Sequence, residues 1–167
     1  MKAYLRHLWG AVVMLIVLGA LPAYSQQSRN AVYFELGGSA VVPSINYEHR
    51  LNENWYGRAG LSWVRSASDG TNATTYIVPL TASWVTRPAS NHHLELGGGV
   101  TIAAGDRQDL YGDVGSGGKF STLLATGIIG YRYQKPQGGF QFRAAFTPVV
   151  GSGVAAPWAG ISFGYAW

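Results

Sequence analysis

From Asn30 onward, bulky apolar residues alternate with small or polar ones at a period of two. The third such stretch puts Trp55, Gly57, Ala59, Leu61 and Trp63 on one parity and Tyr56, Arg58, Gly60 and Ser62 on the other. The fifth sets Leu94, Leu96, Gly98, Val100 and Ile102 against Glu95, Gly97, Gly99 and Thr101. The seventh sets Phe140, Phe142, Ala144, Phe146 and Pro148 against Gln141, Arg143, Ala145 and Thr147. Successive side chains on a strand point to opposite faces, so each stretch reads as a strand with one greasy side and one small, polar side. The pattern predicts strands near 31–39, 43–51, 55–65, 74–86, 92–104, 119–133, 139–149 and 157–167, with no helical periodicity among them.

The connections alternate in character. LNEN (51–54), RPASNH (87–92) and KPQGG (135–139) are short and rich in Asn, Pro and Gly, the residues of tight turns. At the other end lie ASDGTNAT (67–74), the long GDRQDLYGDVGSGG (105–118), GSGVAAP (151–157) and a tighter link, SAVVP (39–43). This is a hairpin rhythm with no second domain and no solenoid repeat.

The first residues have a different character. Lys2 and Arg6 precede an apolar run from Leu8 to Leu21, and Ala23-Tyr24-Ser25 ends it with small residues where a signal peptidase reads. The pattern predicts a secretory signal peptide over 1–25, leaving 26–167 as the barrel. The run is shorter than the ~20 residues that span a bilayer as a helix. Without Lys2 and Arg6 the remainder is nearly neutral, and it carries no basic stripe of the kind that binds nucleic acid. Cysteine is absent, which excludes disulfides and thiolate metal sites.

Charge decides which parity faces out. Only 12% of the residues are charged, about half the ~25% of a soluble domain. Three lysines occur, Lys2, Lys119 and Lys135. A surface of Gly, Ser, Thr and Ala with so few charges would aggregate in water. Turned inward, the small residues leave room for a few long charged side chains in a narrow lumen. The rings then face lipid, and Trp55, Trp63 and Trp84 are read as an aromatic girdle. A sheet edge cannot remain unpaired in hydrocarbon, so WAGISFGYAW (158–167) is predicted to close the sheet against the first strand. The fold class is therefore all-β, an eight-stranded antiparallel up-and-down transmembrane barrel.

With these features the chain resembles the small eight-stranded bacterial outer-membrane barrels of the OmpA and OmpX type, over roughly residues 31–167. Phe163, Tyr165 and Trp167 resemble the C-terminal signal that the barrel-assembly machinery reads in that family, and YFELGGSAVVPSINYEHRL is loosely similar to its first hairpin. The resemblance implies insertion in the outer membrane among lipid and lipopolysaccharide, with both termini periplasmic. It implies no single activity, because such barrels include structural proteins, adhesins and lipid-modifying enzymes.

Inward parity collects Glu35, Glu48, Arg50, Arg58, Glu95, Arg132 and Arg143, all near the short turns. Buried charges are costly unless paired, so these residues are expected to form an ion-pair network that plugs the lumen; a gated pore or proton path is the alternative. Arginine's planar fork suits that pairing.

A lipid-modifying barrel would need a Ser/His pair near the outer rim. The candidates are His49, His92 and His93, and none sits in a His-x-Ser arrangement. His92-His93 lacks a clear third metal ligand. Asp106, Asp109 and Asp113 do not have EF-hand spacing, and Asn72-Ala73-Thr74 is a sequon of the kind that arises by chance. No catalytic, cofactor or metal site is expected. The reading is a non-enzymatic envelope barrel with a structural or surface-interaction role; a barrel acting on lipid A or phospholipid, or a small pore, is the competing class. No motif names a surface-loop partner.

Overall fold

The computed structural model of the chain describes residues 28–68, 71–86, 91–107, 118–151 and 153–167. The predicted signal peptide lies outside them, as do Asp109 and Asp113. Seven strands follow in order: β1 (Asn30–Gly37), β2 (Ser44–Arg50), β3 (Trp55–Ser68), β4 (Thr71–Val85), β5 (His92–Arg107), β6 (Gly118–Gln134) and β7 (Gly139–Phe146). They are completed by the short β8 (Val149–Gly151) and β9 (Val154–Ala156) and by β10 (Ala159–Ala166).

Each strand from β1 to β7 pairs antiparallel with the next. β10 closes the circuit. It pairs with β7 from Ala159 opposite Phe146 to Ala166 opposite Gly139, and with β1 from Ala31 opposite Ala166 to Gly37 opposite Gly160. The terminal residue is stitched in too: Trp167 N–H donates to the Asn30 carbonyl (2.8 Å), and its own carbonyl accepts from the N–H groups of Arg29 and Asn30 (both 2.9 Å). The result is a closed, eight-stave antiparallel barrel.

Two details differ from the alternation pattern. The expected strand over 139–149 breaks between Phe146 and Val149, because Pro148 has no N–H for the ladder. The chain resumes as β8, pairing Val150 with Ala125, and a small β8–β9 hairpin occupies much of the expected connection 151–157. The second difference is the 39–43 link. Instead of bridging β1 and β2 at the rim, Gly38–Ala40 forms a 3-10 turn inside the barrel, with Ser39 0% and Ala40 1% exposed. Gly37 and Gly38 make the inward turn at φ of 74° and 68°, a region open to glycine at little cost. Val41, at φ 69°, holds the same region against its β-branched side chain.

The inward turn dictates its neighbour on the adjacent strand β10. A Cβ on Gly160 would lie 2.4 Å from the Gly38 nitrogen. Gly160→Leu should therefore lower the stability of the refolded protein by about 1–3 kcal/mol in a urea titration. Gly57→Ala is the control, since its Cβ would meet Leu51 at an ordinary 3.5 Å and should change little.

Candidate functional site: the lumen charge network

Three guanidiniums and three carboxylates meet inside the barrel, carried by inward positions of β1, β2, β3, β5, β6 and β7. Arg132 is the centre and is 0% exposed. Its Nη1 and Nη2 donate to the two oxygens of Glu48 at 2.7 and 2.8 Å, a bidentate pair that reaches from β6 to β2 across the lumen. Its Nε donates to Glu95 Oε2 at 3.1 Å, and Nη1 also reaches the Gln134 amide oxygen at 3.1 Å.

Arg143 lies directly opposite Arg132 in the β6–β7 ladder. Like charges placed so are repulsive, and Glu95 resolves the conflict by sitting between them. Glu95 accepts from Arg143 Nε at 2.9 Å and from Nη2 at 2.5 Å, while Gly130, opposite Glu95 on β6, adds no bulk. Arg143 Nη1 then donates to the Tyr33 hydroxyl at 2.6 Å. The same hydroxyl accepts from Arg58 Nη1 at 3.0 Å, so Tyr33 links the lower cluster to a second one. There Arg58 pairs with Glu35 at 3.3 Å and donates to Thr81 Oγ1 at 2.7 Å and to Ser39 Oγ at 2.8 Å.

The guanidiniums also lie over rings. Arg132 is 4.7 Å from the Tyr56 centroid and Arg143 is 5.0 Å from that of Tyr33, distances at which a desolvated cation is attracted to the π face. The inward 3-10 turn caps this assembly, with Thr101 Oγ1 donating to the Ser39 carbonyl at 2.7 Å. Several buried polar atoms have no hydrogen-bond partner among the described residues: Glu35 Oε2, Asn46 Oδ1, both amide atoms of Gln141, Thr147 Oγ1 and Ser162 Oγ. All belong to the β1–β2–β7–β10 side, where the lumen suits ordered water.

Of the seven charged residues grouped by parity, six lie in these clusters. Arg50 is placed differently. As the last residue of β2 it stands at the short-turn mouth, donating from Nε to Asn52 O (2.9 Å) and from Nη2 to Glu53 O (2.7 Å). Tyr33, Tyr56 and Gln134 complete the network without having been singled out from the sequence. Their inward parity was the available signal, whereas Ser39 entered through a turn that alternation does not describe.

The outward face is the reverse of a soluble protein's. Among the described residues, exposure reaches 46% at Phe34, 47% at Leu61 and 55% at Phe140, while Glu48 and Glu95 are at 1%. Trp55 pairs with Trp84 near the short turns, and Trp63 pairs with Tyr76 toward the long connections. The eight-residue step from Trp55 to Trp63 spans ~26 Å of strand, or ~20 Å of height at a ~40° tilt. Phe163 and Tyr165 also face outward, and Phe163 lies 5.3 Å from Phe142 within an aromatic chain that runs on through Tyr131 to His92. His92 Nδ1 is 2.5 Å from the Tyr131 hydroxyl, and His49 Nδ1 is 2.9 Å from Asn30 Oδ1, both on the outer face. His93 lies inside, with Thr86 O and Gln134 O each 3.1 Å from a ring nitrogen.

Solved structures similar to this chain include these two. The N-terminal β-barrel domain of Pseudomonas aeruginosa OprF superposes with a TM-score of 0.60 at 13% identity, over 85% of this chain and 98% of that one. Ail, the attachment invasion locus protein of Yersinia pestis, solved with the heparin analogue sucrose octasulfate, gives 0.52 at 15% identity, over 83% and 94%. The fold is that of the eight-stranded outer-membrane barrels. No protein-family model matches the chain, and no curated protein is similar to it in sequence. At these identities the outer-membrane barrels share an architecture with this chain, and its lumen has to be understood from its own residues.

The network sets a clear expectation. Glu95→Gln leaves Arg132 and Arg143 facing each other with their shared carboxylate gone, and should cost about 3–5 kcal/mol in a denaturant titration of the detergent-folded barrel. Replacing Glu95 and Arg143 together by Leu and Met should cost less than the single change, because the unpaired buried charge is then removed.

Proposed function

We propose that the protein is an integral, non-enzymatic barrel of the bacterial outer membrane, closed to ions by its lumen network, with a structural or surface-interaction role. One observation carries the reading: apolar side chains cover the outside while paired charges fill the inside. Water outside would make the apolar exterior an aggregation surface, since soluble monomers rarely expose apolar patches beyond a few hundred Å². Hydrocarbon outside makes the same belt favourable, and it requires the closed ladder, because an open edge would leave unpaired backbone groups in lipid. The ~20 Å between tryptophan levels is near the ~25 Å apolar band of such barrels.

In this reading the short turns and both termini face the periplasm, and the belt contacts outer-membrane lipid and lipopolysaccharide. Phe163, Tyr165 and Trp167 serve as the signal read by the assembly machinery. Strands β3 to β6 run to 14–17 residues against 7–8 for β1, β2, β7 and β10, so one wall stands taller at the end given to surface contacts. The closed lumen is supported by the charge balance and by the bidentate Arg132–Glu48 bridge across it. The histidines suit interfacial and turn roles: His49 faces Asn30, His92 faces Tyr131, and His93 is held between carbonyls.

Two measurements test this. In planar bilayers the reconstituted protein should give no steady large conductance; a stable open level would establish the pore instead. Single cysteines at Leu61 and Phe142 should react in the folded, membrane-inserted protein with lipid-soluble maleimides and not with water-soluble ones. Labelling by the water-soluble reagent would invert the sidedness.

A further inference from the structure

On the outer face, where β1 ends, the wall is concave. Leu36, Ile161 and Ala144 lie side by side across β1, β10 and β7, and one step further from the termini Ala159 lies opposite Phe146. No β1 residue stands beside Ala159, because the chain has already turned into the lumen at Gly37 and Gly38. On the other side the β7 ladder stops at Phe146, before Pro148. The outcome is a groove of about 440 Å³, floored by Ala144, Ala159 and Gly160 and walled by Leu36 and Ile161 on one side and Phe146 on the other. Its walls are 42–45% exposed, and among the described residues no polar side chain lines it.

We propose that this groove binds one acyl chain of lipid A, the lipid of the leaflet on the long-connection side. The inference rests on the outer-membrane reading above and adds a specific lipid contact to it. Outward residues of β10 run from Tyr165 near the short turns to Ala159 at the far end, so the groove occupies the half of the belt nearest the long connections. It is continuous with the apolar belt, so inside a bilayer it is either filled or empty. An empty gap forfeits the dispersion contacts of its whole lining. A second copy of the chain fits poorly: a two-fold contact brings a surface against itself, and two concave grooves would enclose a void. An extended saturated chain can lie along this open apolar groove with no polar side chain to satisfy. The groove is shaped by the Gly37–Gly38 turn and the Pro148 break, so seating the chain costs little reorganisation of the protein.

The test reconstitutes the full-length mature chain in nanodiscs of phospholipid and purified lipid A, then counts retained lipids by native mass spectrometry. The wild type should carry one lipid A adduct. Ala144→Leu with Ala159→Leu fills the groove and should abolish the adduct, whereas Leu80→Ala, on the opposite wall of the belt, should keep it. In parallel, lipid A with a diazirine-bearing acyl chain should crosslink the wild type within 144–146 and 159–161, a readout that does not depend on the variants folding. A wild type that inserts but retains no lipid A, retains phospholipid in its place, or crosslinks evenly around the belt overturns the groove assignment alone. A wild type that fails to insert overturns the membrane reading and this inference together.

Discussion

The pairing of Asn30–Gly37 with Ala159–Ala166 turns a sheet into a tube, and the tube imposes its own rule on side chains. A closed ladder satisfies its backbone groups internally, so the exterior can be as apolar as the surroundings permit. The interior of an eight-stranded barrel is too narrow for a conventional core of large side chains from every strand. Small residues must therefore dominate the inward parity, and the remaining space goes to a few long side chains that reach across. In this chain those side chains are arginine and glutamate.

Such a lumen has to be electrically exact in its pairing even though its contribution to stability is limited. Moving a guanidinium or a carboxylate out of water is expensive, and well-paired buried ions roughly recover that cost. Glu95 shows how the sequence meets the constraint. The β6–β7 register places Arg132 opposite Arg143, a repulsive arrangement by itself, and one carboxylate from β5 binds both. Tyr33 does the equivalent for Arg143 and Arg58 with a neutral hydroxyl. Together they make one connected network from Glu48 to Ser39, so its members are expected to behave non-additively when removed.

The inward turn at Gly38–Ala40 joins the two faces of the structure. On the inside it gives Arg58 a hydroxyl partner and brings the Ser39 carbonyl to Thr101. On the outside it ends β1 early, and the wall beyond becomes the groove assigned to an acyl chain. A single backbone choice thus fills the lumen at one level and shapes the outer wall at another. The left-handed conformation of Val41 is part of that choice, and it persists because the turn packs against β3, β4, β6 and β10 and is hydrogen-bonded from Thr101 of β5.

Much of this could be read from one dimension because a strand has a strict period of two. Parity assigned Leu61, Phe140 and Phe142 to the outside and Glu35, Glu48, Arg58, Glu95, Arg132 and Arg143 to the inside without any knowledge of partners. The break at Pro148 had a signal in the missing N–H of proline. Other features had none. Parity gives the face and rough depth of a side chain, but strand register and barrel shear decide which arginine meets which glutamate. Arg50 shares the inward parity and still turns to the short-turn mouth, because it is the last residue of its strand. Ser39 became a lumen residue through a turn whose direction depends on the space that Gly160 leaves open on the adjacent β10. Local alternation, then, was set by the sequence and needed no tertiary information. Pairing across the lumen and the course of the inward turn were decided only when distant strands came together, since both depend on distances that no stretch of chain contains.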